Sequence, residues 1–513
     1  MKNNALHQRE MLLPAILIVA VLLLAFGFQG SRGLYAPDEG YYVSLSQAMA
    51  ETGDYIVPRL HSEPWLDKPP LSLWGTAIGL RLFGMNEWGA RVFHGLCYAL
   101  TTLLVFLFGV SFGGKREGML TAAFYVTMIL PFIAGNIVTP DTPLALWTTA
   151  AFYCFWKSVE PGARRVVLWK MLMCAAFGLG FLTKGPAMLI PSAAMFLFLL
   201  FQRRTLEYFI TPWAVAGVAL FCIFGLGWYA YVAHALPGAF DYFLDNQLLG
   251  RTISSKYSRN PGLTGALIYA PVILLGTLPW SWLWWKELIQ NRKTIFHHAS
   301  WKNLYNDPQR LFLALWIVVP MTVLCLASSK LPLYALPVFP AFALATARLL
   351  RAPAAAAQWL ENPWGIPWRT AIVFLIYIMA LMGTKYAAAH IPHKKDMRAL
   401  HALIEQYLPD EQYEIVSIRE HLEGLGFYDN AVIERVTTKE DPYPFFVLPE
   451  QLLEEVEEMK TDNYHHVLIC HGAKHASELS TVLHRAAITF QEVDLSSNEY
   501  YLFICDPIES ASN

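Results

Sequence analysis

Apolar runs long enough to cross a bilayer recur along this chain, and no other feature narrows its possible folds as far. A spanning helix needs roughly 20 mostly apolar residues, and about eleven such runs are present on that criterion. They fall at 11–28, 89–110, 118–135, 141–157, 168–182, 185–202, 210–232, 262–285, 311–327, 331–349 and 368–389. A length of 513 residues would otherwise suit about three soluble domains. Composition supports the membrane reading. Only 15% of the residues are charged, against roughly 25% in soluble domains. The 17 Trp, 24 Tyr and 31 Phe suit aromatic belts at two membrane interfaces. A net charge of −2 excludes the basic footprint of a nucleic-acid binder.

The expected fold class is therefore mainly α, a polytopic membrane protein with about 11–13 transmembrane helices and a C-terminal α/β domain. The run from Met11 to Phe28 follows Lys2 and Arg9, as a secretory signal would. It is longer than a signal core and no small-x-small site closes it, so it reads as an uncleaved first helix. The stretch 29–88 between the first two runs is polar and carries two expected amphipathic surface helices, near 38–51 and 70–83. A second polar loop is 233–261. From about 390 the charge rises and helix and strand patterns alternate. Candidate strands are Glu414–Ser417, His466–Cys470 and Tyr500–Cys505. The domains are thus 1–389, membrane-embedded, and 390–513, soluble. No internal repeat or low-complexity segment is evident.

Lys and Arg in short loops set orientation. With the N-terminus inside, the inside loops carry Lys115 and Arg116; Lys157, Arg164, Arg165 and Lys170; Arg203 and Arg204; Lys286, Arg292, Lys293, Lys302 and Arg310; then Arg348, Arg351 and Arg369. The short outside turns near 136–140 and 183–185 carry only Lys184. The chain is expected in a bacterial inner membrane, with the tail on the periplasmic side.

The unusual polar residues gather on that same outer side. They are Asp38 and Glu39 in Tyr35-Ala-Pro-Asp-Glu-Gly-Tyr-Tyr42, Asp67 and Lys68 before Pro69, and Asp141 between Pro140 and Thr142. Lys184 stands in a Thr-Lys-Gly-Pro turn, Arg251 follows the seventh run, and Lys330 stands in Ser-Ser-Lys-Leu-Pro-Leu-Tyr334. Ionisable residues near a membrane core are costly and are functional candidates for that reason. A carboxylate such as Asp38 suits general-base removal of a hydroxyl proton. Lys68, Lys184, Arg251 and Lys330 suit a phosphate leaving group, because fixed cations stabilise its developing charge. Asp67 and Asp141 suit a shared divalent cation, the one cofactor the residues suggest, although no histidine spacing supports it.

Each residue has a plainer account. Asp38 and Asp141 also suit helix N-termini. Asp67 and Lys68 also suit a surface ion pair of little worth. Lys184 and Lys330 also suit snorkelling anchors, and Arg251 a phospholipid contact. His471 and His475 are four apart, but no third ligand completes a metal spacing. The acidic run Glu454, Glu455, Glu457 and Glu458 reads as a solvated helix face. None of the seven cysteines forms a CxxC, which removes zinc-ribbon and redox readings. Cys470 and Cys505 lie in the tail, where a disulfide is conceivable but unsupported by spacing.

Taken in order, these motifs resemble the bacterial GT-C membrane glycosyltransferases, and specifically the lipid A aminoarabinose transferase branch of the protein O-mannosyltransferase superfamily. The resemblance covers about residues 30–350. It implies an inverting glycosyltransferase that takes a sugar from undecaprenyl phosphate on the periplasmic side and gives it to a lipid A, glycan or protein acceptor. It implies Asp38 as the base or acceptor-orienting group, with Glu39 in the same motif and Tyr42 as a nearby active-site tyrosine. Lys68 and Arg251 match carrier-phosphate contacts, Asp67 and Asp141 match acidic residues able to hold a metal ion, and Tyr334 matches a cavity-lining tyrosine. That branch has an arginine where this chain has Tyr41, a glutamate in place of Asp67, and a histidine near 246–251 that this chain lacks. The implied sugar is therefore unassigned. The rival readings are a polyprenyl-linked oligosaccharide ligase, a lipid or sugar transporter with charge at the bilayer midplane, and a non-enzymatic scaffold that tolerates loss of Asp38 and Lys68.

Overall fold

The computed structural model describes residues 2–60, 63–245, 259–291, 304–350, 368–408, 413–429, 433–437, 450–461, 464–495 and 500–507. The chain divides into two compact units. One holds Met1–Gly27, Lys68–Ser72 and Val92–Thr384, and the other holds Phe28–Asp67, Leu73–Arg91 and Lys385–Asn513.

The first unit is built of apolar helices. By length and composition six described helices are able to cross a membrane, or seven if the bent pair Gly262–Gly276 and Ser281–Gln290 counts as one span. The segment expected as a span at 262–285 is bent: it turns by 104°. Pro279 lies at the turn, where a missing backbone N–H cannot continue the helix. The run 118–135 also breaks, into Lys115–Thr127 and Ile129–Ala134 around an extended Met128. A third break separates Val166–Lys184 from Ile190–Phe201 by a 3-10 turn, with Gly185 at φ 60°. Unbroken, this 36-residue stretch would be about 54 Å long, far beyond a hydrocarbon core of about 30 Å. Its two far ends, Val166 and Lys170 at one and Phe198 and Gln202 at the other, line one cavity, so the segment doubles back.

The core of this unit is aromatic. Phe108, Phe152, Phe155, Trp156, Phe312 and Trp316 are all buried together, and the Phe152 and Trp316 rings stack at 4.0 Å. A second cluster joins Leu24 and Ala25 of the helix Lys2–Phe26 to Phe124, Tyr125, Phe339 and Phe342.

The loops expected inside meet at one end of this bundle. Arg204 Nη1 donates to the Val159 carbonyl at 3.2 Å, Ser111 Oγ to Glu160 at 2.6 Å, and Tyr305 OH to the Phe201 carbonyl at 2.7 Å. Arg348 pairs with Asp307 at 2.9 Å. The helix Asp141–Val159 thus has its C-terminal end among the basic loops and Asp141 at its other end.

The second unit carries a six-stranded sheet. A two-strand hairpin precedes it in the chain, β1 (Arg59–Leu60) with β2 (Glu63–Pro64). The sheet strands are β3 (Tyr413–Ile418), β4 (Ile433–Thr437), β5 (Glu450–Gln451), β6 (His465–His471), β7 (Phe490–Leu495) and β8 (Tyr500–Cys505). Their order is β5-β4-β3-β6-β8-β7. β3 to β6 pair in parallel, while β8 runs antiparallel to β6 and β7. Side chains alternate between two buried faces. Ile415, Val467, Ile469 and Leu502 pack on one side with Leu400 and Ile404 of the helix Met397–Tyr407. Val416, Leu468, Cys470 and Phe503 pack on the other with Leu479 and Leu483 of the helix Ala473–Arg485.

The tail residues singled out in the sequence are placed as follows. Cys470 lies opposite Tyr501 and Cys505 opposite His466, so the register does not set the two thiols against each other. His471 ends β6 while His475 belongs to the following helix, so they do not share a helix face. His475 Nδ1 meets the His471 carbonyl at 2.9 Å and its Nε2 meets Arg419 Nη1 at 2.9 Å, which occupies both ring nitrogens. Glu455 is buried, unlike the exposed Glu454, Glu457 and Glu458.

The segment after the first span belongs to this second unit. Its helix Asp38–Thr52 is buried on more than one side, through Glu39, Val43 and Ser46 and through Leu45 and Met49. It is therefore a packed helix where an amphipathic surface helix was expected. Leu45, Met49 and Ala50 pack with Trp65, Leu73 and Ala77, the last two from the helix Leu71–Phe83. A Cβ on Gly40 would stand 2.8 Å from the Gly424 Cα, so glycine allows the close approach of helix and tail turn. Ser44 Oγ donates to the Glu423 carbonyl at 2.7 Å beside it.

Candidate functional site

The expected site residues fall in both units, and each group has its own geometry. In the first unit Asp141 opens the helix Asp141–Val159, and Lys184 closes the helix Val166–Lys184. Their side chains meet, with Lys184 Nζ 2.5 Å from Asp141 Oδ1 and exposures of only 11% and 7%. The same ammonium lies 4.3 Å from the centre of the Tyr334 ring, within range of a cation–π contact. Tyr334 belongs to the 3-10 helix Pro332–Val338, whose prolines rigidify the turn. Asp141 does lie in the first turn of its helix, where the dipole favours a carboxylate, but it makes no cap bond. Pro140 is the N-cap residue and no side-chain cap bond forms, so Asp141 is not a cap. Lys184 is not a snorkelling anchor, because its ammonium is buried against a carboxylate.

Lys330 is buried, at 1% exposure. Its ammonium donates to the Ala327 carbonyl at 2.6 Å and to the Asn260 carbonyl at 3.4 Å, and Asn260 Nδ2 returns a bond to the Lys330 carbonyl at 3.0 Å. Ala327 caps the C-terminal end of the helix Pro308–Leu326, where a cation is favoured. Lys330 therefore braces a helix end and a loop. Lys68 is half-buried, and Arg251 lies outside the described residues.

The second unit holds Asp38, Glu39, Tyr42 and Asp67. Asp38 and Glu39 are consecutive yet opposite in environment. Asp38 is exposed and, among the described residues, makes no hydrogen bond or ion pair. Pro37 takes the cap position without a side-chain bond, so capping does not occupy Asp38. Glu39 is 1% exposed and held from several sides. Arg91 donates Nε to Oε1 at 2.7 Å and Nη2 to Oε2 at 3.0 Å; Arg32 donates Nη1 to Oε2 at 2.7 Å; the Tyr35 backbone N–H adds a bond at 3.0 Å. Burial opposes its charge, but the Arg32 and Arg91 guanidiniums outweigh that cost and hold the carboxyl well below the usual carboxylate range. Such a group positions its neighbours and takes no proton at neutral pH.

Arg91 also donates to the carbonyls of Gln29 at 2.6 Å, Arg32 at 2.9 Å and Gly33 at 2.8 Å. Arg398 Nε donates to Glu87 at 2.7 Å, and Tyr428 OH donates to Glu87 at 3.1 Å and receives the Leu34 N–H at 2.8 Å. These bonds fix the segment that presents Asp38. The sequence reading passed over Arg91, although a charge at the start of an apolar run was the signal that could have found it. Tyr42 is half-buried, with its ring 5.8 Å from that of Tyr41, which in turn meets Trp65 at 4.8 Å. Asp67 is half-buried.

The expected cation does not fit Asp141, whose carboxylate is already neutralised by Lys184. Among the described residues no group of three or more His, Cys, Asp or Glu side chains is placed to hold a metal ion.

A family model described as dolichyl-phosphate-mannose-protein mannosyltransferase matches residues 67–229. The chain is 28% identical over 340 residues to the undecaprenyl phosphate-alpha-4-amino-4-deoxy-L-arabinose arabinosyl transferase of Photorhabdus laumondii, covering 66% of this chain and 58% of that one. It is 29% identical over 336 residues to the second such enzyme of Proteus mirabilis, covering 65% and 58%. The chain thus spans less than two thirds of the length of these curated relatives. The crystal structure of ArnT from Cupriavidus metallidurans bound to undecaprenyl phosphate shares the fold, with a TM-score of 0.75 at 18% identity over 97% of this chain and 98% of that one. The chain is thus similar over 67–229 to this mannosyltransferase family and over about two thirds of its length to the arabinosyl transferases, and it shares the fold of ArnT.

Proposed function

We propose that the chain is an inverting glycosyltransferase that moves a sugar from undecaprenyl phosphate to a lipid A, glycan or protein acceptor on the periplasmic face of the inner membrane. The observation that carries this reading is the buried Asp141–Lys184 pair beneath Tyr334, at the helix ends remote from the basic loops. A transporter would favour charge near the bilayer midplane. A buried charge pair at the helix ends favours polar chemistry at one face.

In this reading the acceptor hydroxyl gives its proton to Asp38 as its oxygen attacks the anomeric carbon opposite the phosphate. The bond from that carbon to the phosphate oxygen breaks, its electron pair leaves with the phosphate, and the carrier is released. Lys68, Lys184 and Arg251 are assigned to the negative charge that grows on that leaving group. Tyr42 and Tyr334 are assigned to the sugar. Glu39 holds Asp38 in position, and Lys330 braces the loop before Tyr334. No step is routed through a metal ion. The tail is assigned to the periplasmic side.

The test is mass spectrometry of total envelope lipids from a deletion strain, restored with wild type or with Asp38→Asn. One polyprenyl-monophosphate sugar is expected to accumulate in the deletion and mutant strains, while a glycolipid or glycoprotein loses that sugar. Normal modification by a well-expressed Asp38→Asn protein overturns the base assignment. Accumulation of a pyrophosphate-linked glycan instead makes the protein a ligase.

A further inference from the structure

A cavity of about 500 Å³ opens at the other end of the helices that carry Asp141 and Lys184. It lies where the helix Asp141–Val159 ends and the helix Val166–Lys184 begins. Trp156, Phe198 and Tyr208 give it apolar walls, and Lys170 and Arg204 give it two cations. Lys170 Nζ donates to the Tyr208 carbonyl at 2.7 Å and lies 4.0 Å from the centre of the Tyr208 ring. Arg204 Nη1 donates to the Val159 carbonyl at 3.2 Å. Each contact fixes a cation without neutralising it, and among the described residues neither cation has a carboxylate within ion-pair distance.

Two carboxylates also line the cavity. Glu160 is already matched by Lys157 and receives Ser111 Oγ. Glu207 is exposed and, among the described residues, forms no ion pair. With Glu160 matched, the lining carries two cations against the one carboxylate Glu207, beside apolar walls and at the ends of long apolar helices. That is the environment of a lipid headgroup, where phosphate meets glycerol and the first methylenes. A free phosphate would gain nothing from the three aromatic walls.

We propose that this cavity binds the phosphate headgroup of an anionic phospholipid, with Lys170 and Arg204 contacting the phosphate. The site is separate from the Asp141–Lys184 pair and independent of the transferase reading. Charge-assisted bonds from lysine and arginine supply the affinity, and the aromatic walls select an amphiphile.

Native mass spectrometry of the full-length protein in detergent tests this, with phosphatidylglycerol, phosphatidylcholine and inorganic phosphate as probes. Wild type is expected to retain one phosphatidylglycerol in preference to phosphatidylcholine, and millimolar phosphate is expected not to displace it. The Lys170→Gln/Arg204→Gln protein is expected to bind phosphatidylglycerol on the order of tenfold more weakly, from the loss of two headgroup-level cations. Glu207→Gln is expected to bind it more tightly, and Lys170→Arg to match wild type, which guards against misfolding of the double variant. Equal retention by wild type and a double variant of unchanged melting temperature overturns the site. Displacement of the lipid by inorganic phosphate overturns the lipid assignment.

Discussion

Arg91 and Glu39 are joined by two hydrogen bonds, at 2.7 Å and 3.0 Å, and both side chains are only 1% exposed. They are 52 residues apart in sequence, one at the start of a span and the other beside the exposed Asp38. Removing one partner of a buried ion pair leaves an uncompensated charge and costs about 3–5 kcal/mol. Arg91→Leu is therefore expected to lower thermal stability by an amount in that range and to abolish transfer. Asp38→Asn is expected to abolish transfer with an unchanged melting temperature. Measuring both quantities for both variants separates a positioning role from a catalytic one. A stable, active Arg91→Leu protein refutes the clamp.

The same clamp sets a pH dependence. The Glu39 carboxyl titrates well below its usual range because two guanidiniums outweigh the cost of burial. A depressed carboxyl contributes stability above its unfolded pKa, about 4.3 for glutamate, and that contribution fades as pH falls toward the folded value. The melting-temperature gap between wild type and Glu39→Gln is thus expected to be constant from pH 7 to 5 and to narrow below about pH 4.3. A gap that widens on acidification contradicts the assignment of charge to Glu39.

The sequence made the membrane class legible because it rests on local composition. Asp141 and Lys184 were both visible as unusual polar residues in short turns. Their pairing was not, because a contact across 43 residues leaves no local trace, so one was assigned to a cation and the other to a phosphate. Lys330 misled for a related reason: its Ala327 and Asn260 carbonyl partners are backbone groups, which composition cannot reveal. β6 and β8 were read from buried apolar runs, whereas the two-residue β5 and the edge strand β7, with Gln491, Glu492 and Asp494, carry too few apolar residues to stand out. The break at Met128 falls inside an apolar stretch, where hydropathy alone is blind to backbone conformation, whereas the Thr-Lys-Gly-Pro turn marks the break at Gly185 in the sequence itself.

The Asp141–Lys184 pair makes its own prediction. Asp141→Asn and Lys184→Gln each leave one buried charge unmatched and are expected to cost about 3–5 kcal/mol. The double variant restores neutrality, so its stability is expected to exceed that of either single variant while transfer stays absent. Additive losses of stability in the double-mutant cycle would show that the two groups are not coupled.

Gly40 offers a purely steric test. A Cβ there would stand 2.8 Å from both the Gly424 Cα and the Met397 Sδ, closer than packed atoms tolerate. Gly40→Ala is expected to cost about 1–3 kcal/mol by overpacking, and Met397→Ala is expected to relieve only the sulfur contact, since the glycine backbone cannot yield. Thermal melting of the two single variants and the double variant decides this. A Gly40→Ala protein as stable as wild type would mean that the helix and the tail turn are not in contact.

Cys470 and Cys505 give the last test, one confined to the tail. Burial pushes both thiols up to about 12, and their registers keep them from facing each other. The thiolate is the reactive form, so at pH 8 only about one thiol in 10,000 is ionised on that titration scale. Neither residue is expected to react with iodoacetamide in the native protein at pH 8. Both are expected to react fully once guanidinium unfolds the chain, without prior reduction. Mass mapping of the labelled peptides reads this directly. Native labelling would show the thiols to be accessible, and labelling that needs a reductant even after unfolding would show them to be oxidised.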